Sequence, residues 1–258
     1  MSVFRFKRFE VVNERSARKV NTDGVLLGAS MTVRPSDRRL LDIGTGTGTI
    51  ALMAAQRLSD SVAAQPLAPS FASLEHGPEI RISAIDIDEA SATEAGMNFA
   101  NSPWADCLAA HLCSLDEFAQ GLSSEDRFDL IFSNPPYFED SLLAPEQRRC
   151  NARHTATGLS YREILEFAAQ RLNPQGRVAM VLPADLEHDL LRHARMNGLH
   201  LFHILRVRTV ERKQATRIIA EFSKQRCESP EDELLTIQKE ARYSHEYLAL
   251  MHGFYLFA

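Results

Sequence analysis

The 258-residue chain has only four cysteines, Cys107, Cys113, Cys150 and Cys227, and none belongs to a Cys-x-x-Cys pair. That spacing offers neither a disulfide framework nor a thiolate metal site, so no metal is expected and the thiols read as those of a reduced, cytoplasmic protein. Long apolar runs are also missing, which excludes a membrane-spanning helix. The opening MSVFRFKRFEVV is basic but has no apolar stretch behind it, which argues against a secretory signal. An excess of positive charge is absent too: the net charge is −5, an unfavourable balance for neutralising phosphates.

What is present is an ordinary globular composition, 45% hydrophobic and 24% charged. The basic residues are clustered. Residues 5–19 carry six basic and two acidic side chains, and residues 206–217 carry five and one. Solvated surface is the default reading of such runs, but two patches leave a nucleic-acid substrate open.

Apolar runs alternate with helix-like segments, the signature of a parallel sheet with crossover helices. Strands are expected at 39–44, 80–86, 108–113, 128–133, 176–183, 199–207 and 217–223. Helices are expected at 49–58, at 88–101 with Asp88 as N-cap, and at 161–172. The last two strands are too close for a crossover helix and should pair antiparallel. Residues 59–78 are rich in Ala, Ser and Pro without a period, and read as an inserted surface loop.

Three motifs carry chemistry. LLDIGTGTGTIAL puts Asp42 at a strand end, followed by Gly44, Thr45, Gly46 and Gly48. The glycines allow a tight turn and close ligand approach. A dinucleotide fingerprint would place its third glycine at Thr49. A carboxylate at Asp42 would repel a pyrophosphate but suits a ligand with a cationic amine. A glycine-rich turn with a capping Asp is the bland alternative. The second motif, AIDID, ends a strand on Asp86, where Rossmann-like folds accept ribose hydroxyls, and Ile87 would lie against an adenine. The third is Asn134-Pro135-Pro136-Tyr137, directly after the strand FDLIFS. It can be a proline turn. It can also be a grip: the Asn134 side-chain oxygen and the Pro135 carbonyl accept the two hydrogens of a planar amine. The double proline fixes the backbone, and Tyr137 offers a face for stacking.

Taken in order, these motifs resemble the class I S-adenosylmethionine (AdoMet)-dependent methyltransferases over residues 36–225. The resemblance implies an α/β, Rossmann-like fold with a mostly parallel seven-stranded sheet, an antiparallel last strand and helices on both faces. It implies AdoMet as cofactor, an adenine contact at Ser114 or Asp116, and N-methylation of adenine, cytosine or glutamine. The flanks RKVNTDGVLLGA (18–29) and YSHEYLALMHGFYLFA (243–258), with NSPWAD (101–106) and ARHTAT (152–157), resemble the bacterial tRNA1(Val) adenine-37 N6-methyltransferase family. That resemblance implies that Lys19, Thr22 and Asp23 line the methionine end of the cofactor pocket. It further implies a tRNA anticodon loop as partner, whose adenine can be splayed into a pocket. The whole chain would then be one domain, with a flanking segment 1–35 and a C-terminal extension 226–258 packed on it. Phosphate contacts are expected among Arg5, Lys7, Arg8, Arg15 and Arg18, among Arg148, Arg149 and Arg153, or among Arg206, Arg208, Arg212, Lys213 and Arg217. Rival readings are a methyltransferase for another RNA adenine or a protein glutamine, and a silent RNA-binding module.

Overall fold

The computed structural model describes residues 2–16, 19–64, 80–136 and 159–258. Two strands, β1 (Val3–Arg5) and β2 (Glu10–Val12), form an antiparallel hairpin. The helix α1 (Thr22–Ser30) follows, capped by the Asn21 side chain, which accepts from the Gly24 N–H. The main sheet then begins with β3 (Arg39–Ile43), β4 (Arg81–Asp86), β5 (Leu108–Leu112), β6 (Phe128–Ser133) and β7 (Leu172–Pro183), parallel neighbours in the order β5-β4-β3-β6-β7. Beyond β7 lie β9 (Arg217–Ser223), antiparallel to its neighbours, and then β8 (His200–Val210). The expected antiparallel pairing of the last two core strands is therefore present.

Seven strands was an undercount. Among the described residues the sheet has nine, because β10 (Glu231–Lys239) adds parallel to β8 and β11 (Arg242–Tyr243) folds back on β10. Three acids and only three large aliphatics in EDELLTIQK hide this strand, which is exposed along its first half. The 226–258 extension thus continues the sheet before ending in helix α7 (His245–Met251).

Alternate residues of each strand feed two cores, since successive side chains point to opposite faces. Leu40, Leu130 and Phe132 pack on the side of α1, α2 (Thr49–Ala63) and α3 (Glu89–Ala100). Leu41, Ile131 and Val178 pack on the side of α4 (Leu115–Gln120), α5 (Tyr161–Arg171) and α6 (Glu187–Met196). Both faces are covered, so the strands read as continuous apolar runs. Helix α2 runs five residues past its expected end, taking 59–63 out of the supposed loop; residues 65–78 of that segment lie outside the described residues.

Candidate active site

Strand order reverses at β3, whose partners are β4 on one side and β6 on the other. In such sheets ligands bind at the carboxyl ends of the strands beside this switch point. Here Ile43 pairs with Ser133, and the Ser133 hydroxyl donates to the Ile43 carbonyl at 2.6 Å. The glycine turn and Asn134 therefore leave the sheet side by side.

The turn is built from left-handed backbone: Gly44, Gly46 and Gly48 have φ of 73°, 57° and 79°. Gly44 and Thr45 both donate to the Ile85 carbonyl, at 2.9 and 3.0 Å. Gly48 caps α2, and a Cβ there would stand 2.5 Å from the Phe99 ring. The Asp86 carboxylate braces the turn, accepting from Gly46 N at 2.8 Å and from Asp88 N at 3.0 Å. Ile87 beside it is 60% exposed, an apolar side chain with no core role.

Asp42 is fully buried on the α2 side of β3. Its Oδ2 accepts from the Thr45 hydroxyl at 2.7 Å, while Oδ1 has no hydrogen-bond partner among the described residues. Burial pushes its pKa up to about 7, against the Thr45 hydrogen bond and with the help of the nearby Asp86 charge. An under-satisfied buried carboxylate is unfavourable by itself and gains most from a cation brought nearby.

A cleft between α1 and the glycine turn brings together Lys19, Gly44, Thr45, Gly46 and Asn134 from the expected set. Val20, Asn21, Gly24 and Ile50 also line it. Asp42, Gly48 and Asp86 are outside the lining, but Asp42 and Asp86 are hydrogen-bonded to its Thr45 and Gly46. Asn134 and Pro135 are buried and Pro136 is half-buried; Tyr137 lies outside the described residues. The Asn134 Nδ2 donates to Asn21 Oδ1 at 3.4 Å, which fixes the donor end of its amide. Together the orphaned Asp42 oxygen, the Cβ-free turn and the exposed Ile87 fit AdoMet, which carries an ammonium, a ribose and an adenine but no phosphate.

Other expected residues are placed differently. Asp23 pairs with Arg217 of β9 at 2.8 Å, and Thr22 sits exposed at the start of α1, outside the cleft lining. The Lys19 Nζ turns back onto the Asn13 and Glu14 carbonyls, at 2.9 and 2.6 Å. Ser114 serves as the N-cap of α4: its hydroxyl accepts from Glu117 N at 3.1 Å and donates to the Glu117 carboxylate at 3.0 Å. Arg206 is held between Glu187 and Asp232, and Arg208 donates to the Thr236 hydroxyl. Arg212 and Lys213 are exposed at the β8–β9 turn. Arg18, Arg148, Arg149 and Arg153 lie outside the described residues.

Sequence reading missed the residues that hold the N-terminal segment over this cleft. Glu94 of α3, 2% exposed, accepts from three successive backbone N–H groups, Glu14, Arg15 and Ser16, at 2.6 to 3.1 Å. Burial pushes its pKa up, but these three donors outweigh that and hold it below its ordinary value. One turn on, Asn98 accepts from Val12 N and donates to the carbonyls of Val12 and Thr47, tying the segment to the glycine turn. Ser91, Glu94 and Asn98 share one helix face at i, i+3 and i+7, and polar residues at that spacing on a half-apolar helix were the available signal.

Comparison with known proteins agrees with the fold and narrows the family. The family model UPF0020, described as RMKL-like, methyltransferase domain, matches residues 30–214. A Phocaeicola vulgatus protein named tRNA1(Val) (adenine(37)-N6)-methyltransferase is 40% identical over 256 residues, covering 98% of this chain and 97% of its own. A Parabacteroides distasonis protein of the same name is 38% identical over 254 residues, with 98% and 97% coverage. Among solved structures, one described as a predicted O-methyltransferase from Agrobacterium tumefaciens superposes with a TM-score of 0.56 at 14% identity, over 90% of this chain and 96% of that one. The last likeness concerns the fold alone.

Proposed function

Since the chain belongs to the tRNA1(Val) (adenine(37)-N6)-methyltransferase family, we propose that it transfers a methyl group from AdoMet to the exocyclic N6 of adenine 37 in that tRNA. The observation that carries the reading is the position of Asn134, buried at the end of β6, beside the Gly44 turn and orientated by Asn21. A methyl donor held on the glycine turn and an amine held by Asn134 would meet in one cleft.

When bound, AdoMet supplies an activated methyl group on a cationic sulfur. The chain holds and aligns. Asp86 and the glycine turn take the ribose side, with Ile87 against the adenine. Asp42 provides negative charge near the ammonium of the methionine end, and Lys19 flanks that end. Asn134 Oδ1 and the Pro135 carbonyl accept the two N6 hydrogens of the substrate. An aromatic amine is a weak nucleophile because its lone pair is delocalised into the ring. Two acceptors on its hydrogens favour the pyramidal nitrogen that the transition state needs, so their hydrogen bonds strengthen as the reaction proceeds. Tyr137 is proposed to stack on the base. Alignment supplies most of the acceleration. No strong base is required, because the methylated nitrogen becomes acidic and releases its proton to solvent.

The test is methylation of an unmodified tRNA1(Val) transcript followed by nucleoside mass spectrometry. N6-methyladenosine mapped to position 37 is the expected product. Methyl transfer only to a ring nitrogen, to another position or to protein glutamine would overturn the reading.

A further inference from the structure

The parallel pairing of β10 with β8 sets Gln238 level with Val210. The β8–β9 turn and the β10–β11 turn therefore emerge side by side, at the same carboxyl edge of the sheet from which Asn134 leaves β6. In the order β10-β8-β9-β7-β6 they stand about 12 and 22 Å from Asn134, at roughly 4.8 Å per strand. Each turn carries exposed basic residues beside one acid, Glu211 on the first and Glu240 on the second. Arg212 and Lys213 on the first, and Arg242 on the second, are exposed, and their side chains have no ion pair or hydrogen bond among the described residues.

The second turn is built at a cost. Glu240 and Ala241 take left-handed backbone, with φ of 49° and 61°, where a two-residue hairpin ordinarily uses Asn or Gly. Such strain persists only where neighbouring structure holds it, and it concentrates at functional sites. Here Ser244 N donates to the Ile237 carbonyl at 2.9 Å, and Tyr243 stacks on Tyr247 and Phe257 at 5.1 and 5.2 Å. Those contacts hold the second turn in place, with Arg242 opposite Lys239.

Charge is polarised along the same strands. Glu231, Asp232 and Glu233 mark the opposite, amino end of β10, and Arg206 is cancelled there by Glu187 and Asp232. Three of the N-terminal basic residues, Arg5, Lys7 and Arg8, are engaged as well. Arg5 pairs with Glu10 at 3.1 Å, and Arg8 pairs with Asp60 in the last turn of α2, near the amino edge. Lys7 donates to the His252 and Ala258 carbonyls.

Resting on the tRNA reading above, we propose that the β8–β9 and β10–β11 turns form a two-pronged docking surface for RNA, with Arg212, Lys213 and Arg242 taking backbone phosphates of the tRNA whose adenine enters at Asn134. Phosphate contacts made by point charges position a substrate and carry no sequence preference. Each contact also contributes about 0.7 to 0.9 to the slope of log affinity against log salt.

The experiment measures binding of an unmodified tRNA1(Val) transcript to the full chain across a salt series, by fluorescence anisotropy. The variant R212A/K213A/R242A should bind at least tenfold more weakly at about 0.1 M salt, with its slope reduced by roughly 2 to 3. Its affinity for AdoMet and its turnover at saturating tRNA should match the wild type. R212K/R242K, which keeps the charges, should bind as the wild type does. R5A/R8A should stay within twofold. An unchanged slope in the triple variant, or an equal loss in R5A/R8A, overturns the docking surface. A wild-type protein that binds and responds in this way but yields no N6-methyladenosine overturns the reaction and leaves the surface standing.

Discussion

Replacing Asp42 by Asn should make the ligand-free protein more stable and the enzyme worse. The carboxyl is fully buried, keeps one oxygen without a partner among the described residues, and has its pKa pushed from an ordinary 3.8 up to about 7. Below pH 4 the folded and unfolded chains both hold this proton. Between about 4 and 7 the unfolded chain has released it and the folded chain has not, so folding takes up a proton and stability falls as pH rises. Above about 7 both states are ionised and the loss is complete. Three pKa units correspond to about 4 kcal/mol as an upper limit. The Asn amide keeps the acceptor for Thr45 but adds a buried N–H whose unmet hydrogen bond costs about 1 to 3 kcal/mol. The net expectation is a gain of about 1 to 3 kcal/mol at pH 8 and little or none at pH 5. Urea unfolding at pH 5, 6, 7 and 8 reads this directly, with the single, buried Trp104 as the fluorescent probe. Calorimetric titration with AdoMet should show the opposite sign: wild-type affinity rises with pH up to about 7 as Asp42 ionises, and D42N binds at least tenfold more weakly without that rise. Parallel stability profiles for the two proteins between pH 5 and 8, or an unchanged AdoMet affinity, would refute the reasoning.

Two further substitutions probe the parts that hold the cleft. Gly48→Ala should lower stability by about 2 to 5 kcal/mol, combining left-handed strain with overpacking, because the new Cβ would stand 2.5 Å from the Phe99 ring at φ +79°; a loss below about 0.5 kcal/mol in urea unfolding would contradict the packing account. Glu94→Gln removes one of the two oxygens and the charge that serve the N–H groups of residues 14, 15 and 16. The KM for AdoMet should rise about tenfold with kcat nearly unchanged, since charged hydrogen bonds of this kind are worth about 1.5 to 3 kcal/mol each; an equal fall in kcat with no change in KM would place the effect elsewhere.

The central fold was legible because its physics is local. FDLIFS and RIIAEFS became strands over the expected residues, Asp88 capped α3 by accepting from Ser91, and the missing crossover after residue 207 required an antiparallel pair. The motifs at Gly44–Gly46 and Asn134 converged because β3 and β6 are neighbours, which topology dictates once the strand order reverses. What was illegible depended on partners distant in sequence. Strand β10 exists because β8 offers an edge, not because EDELLTIQK is a strong strand former. Asp23 pairs with Arg217, 194 residues on; the Ser114–Glu117 capping box, by contrast, is a local motif that the sequence reading passed over. Glu94 looks like a surface charge on α3 until three amides from residues 14–16 fold onto it.

Asn134 is the residue on which the proposed methyl transfer depends most directly. Under single-turnover conditions with saturating AdoMet and unmodified tRNA1(Val), Asn134→Ala should slow formation of N6-methyladenosine at position 37 by about 100-fold or more, the cost of losing one acceptor that acts mainly in the transition state. Its affinities for tRNA and AdoMet should stay within a few-fold of wild type. A rate within threefold of wild type, with the methyl still on N6, would contradict the claim that Asn134 grips the amine.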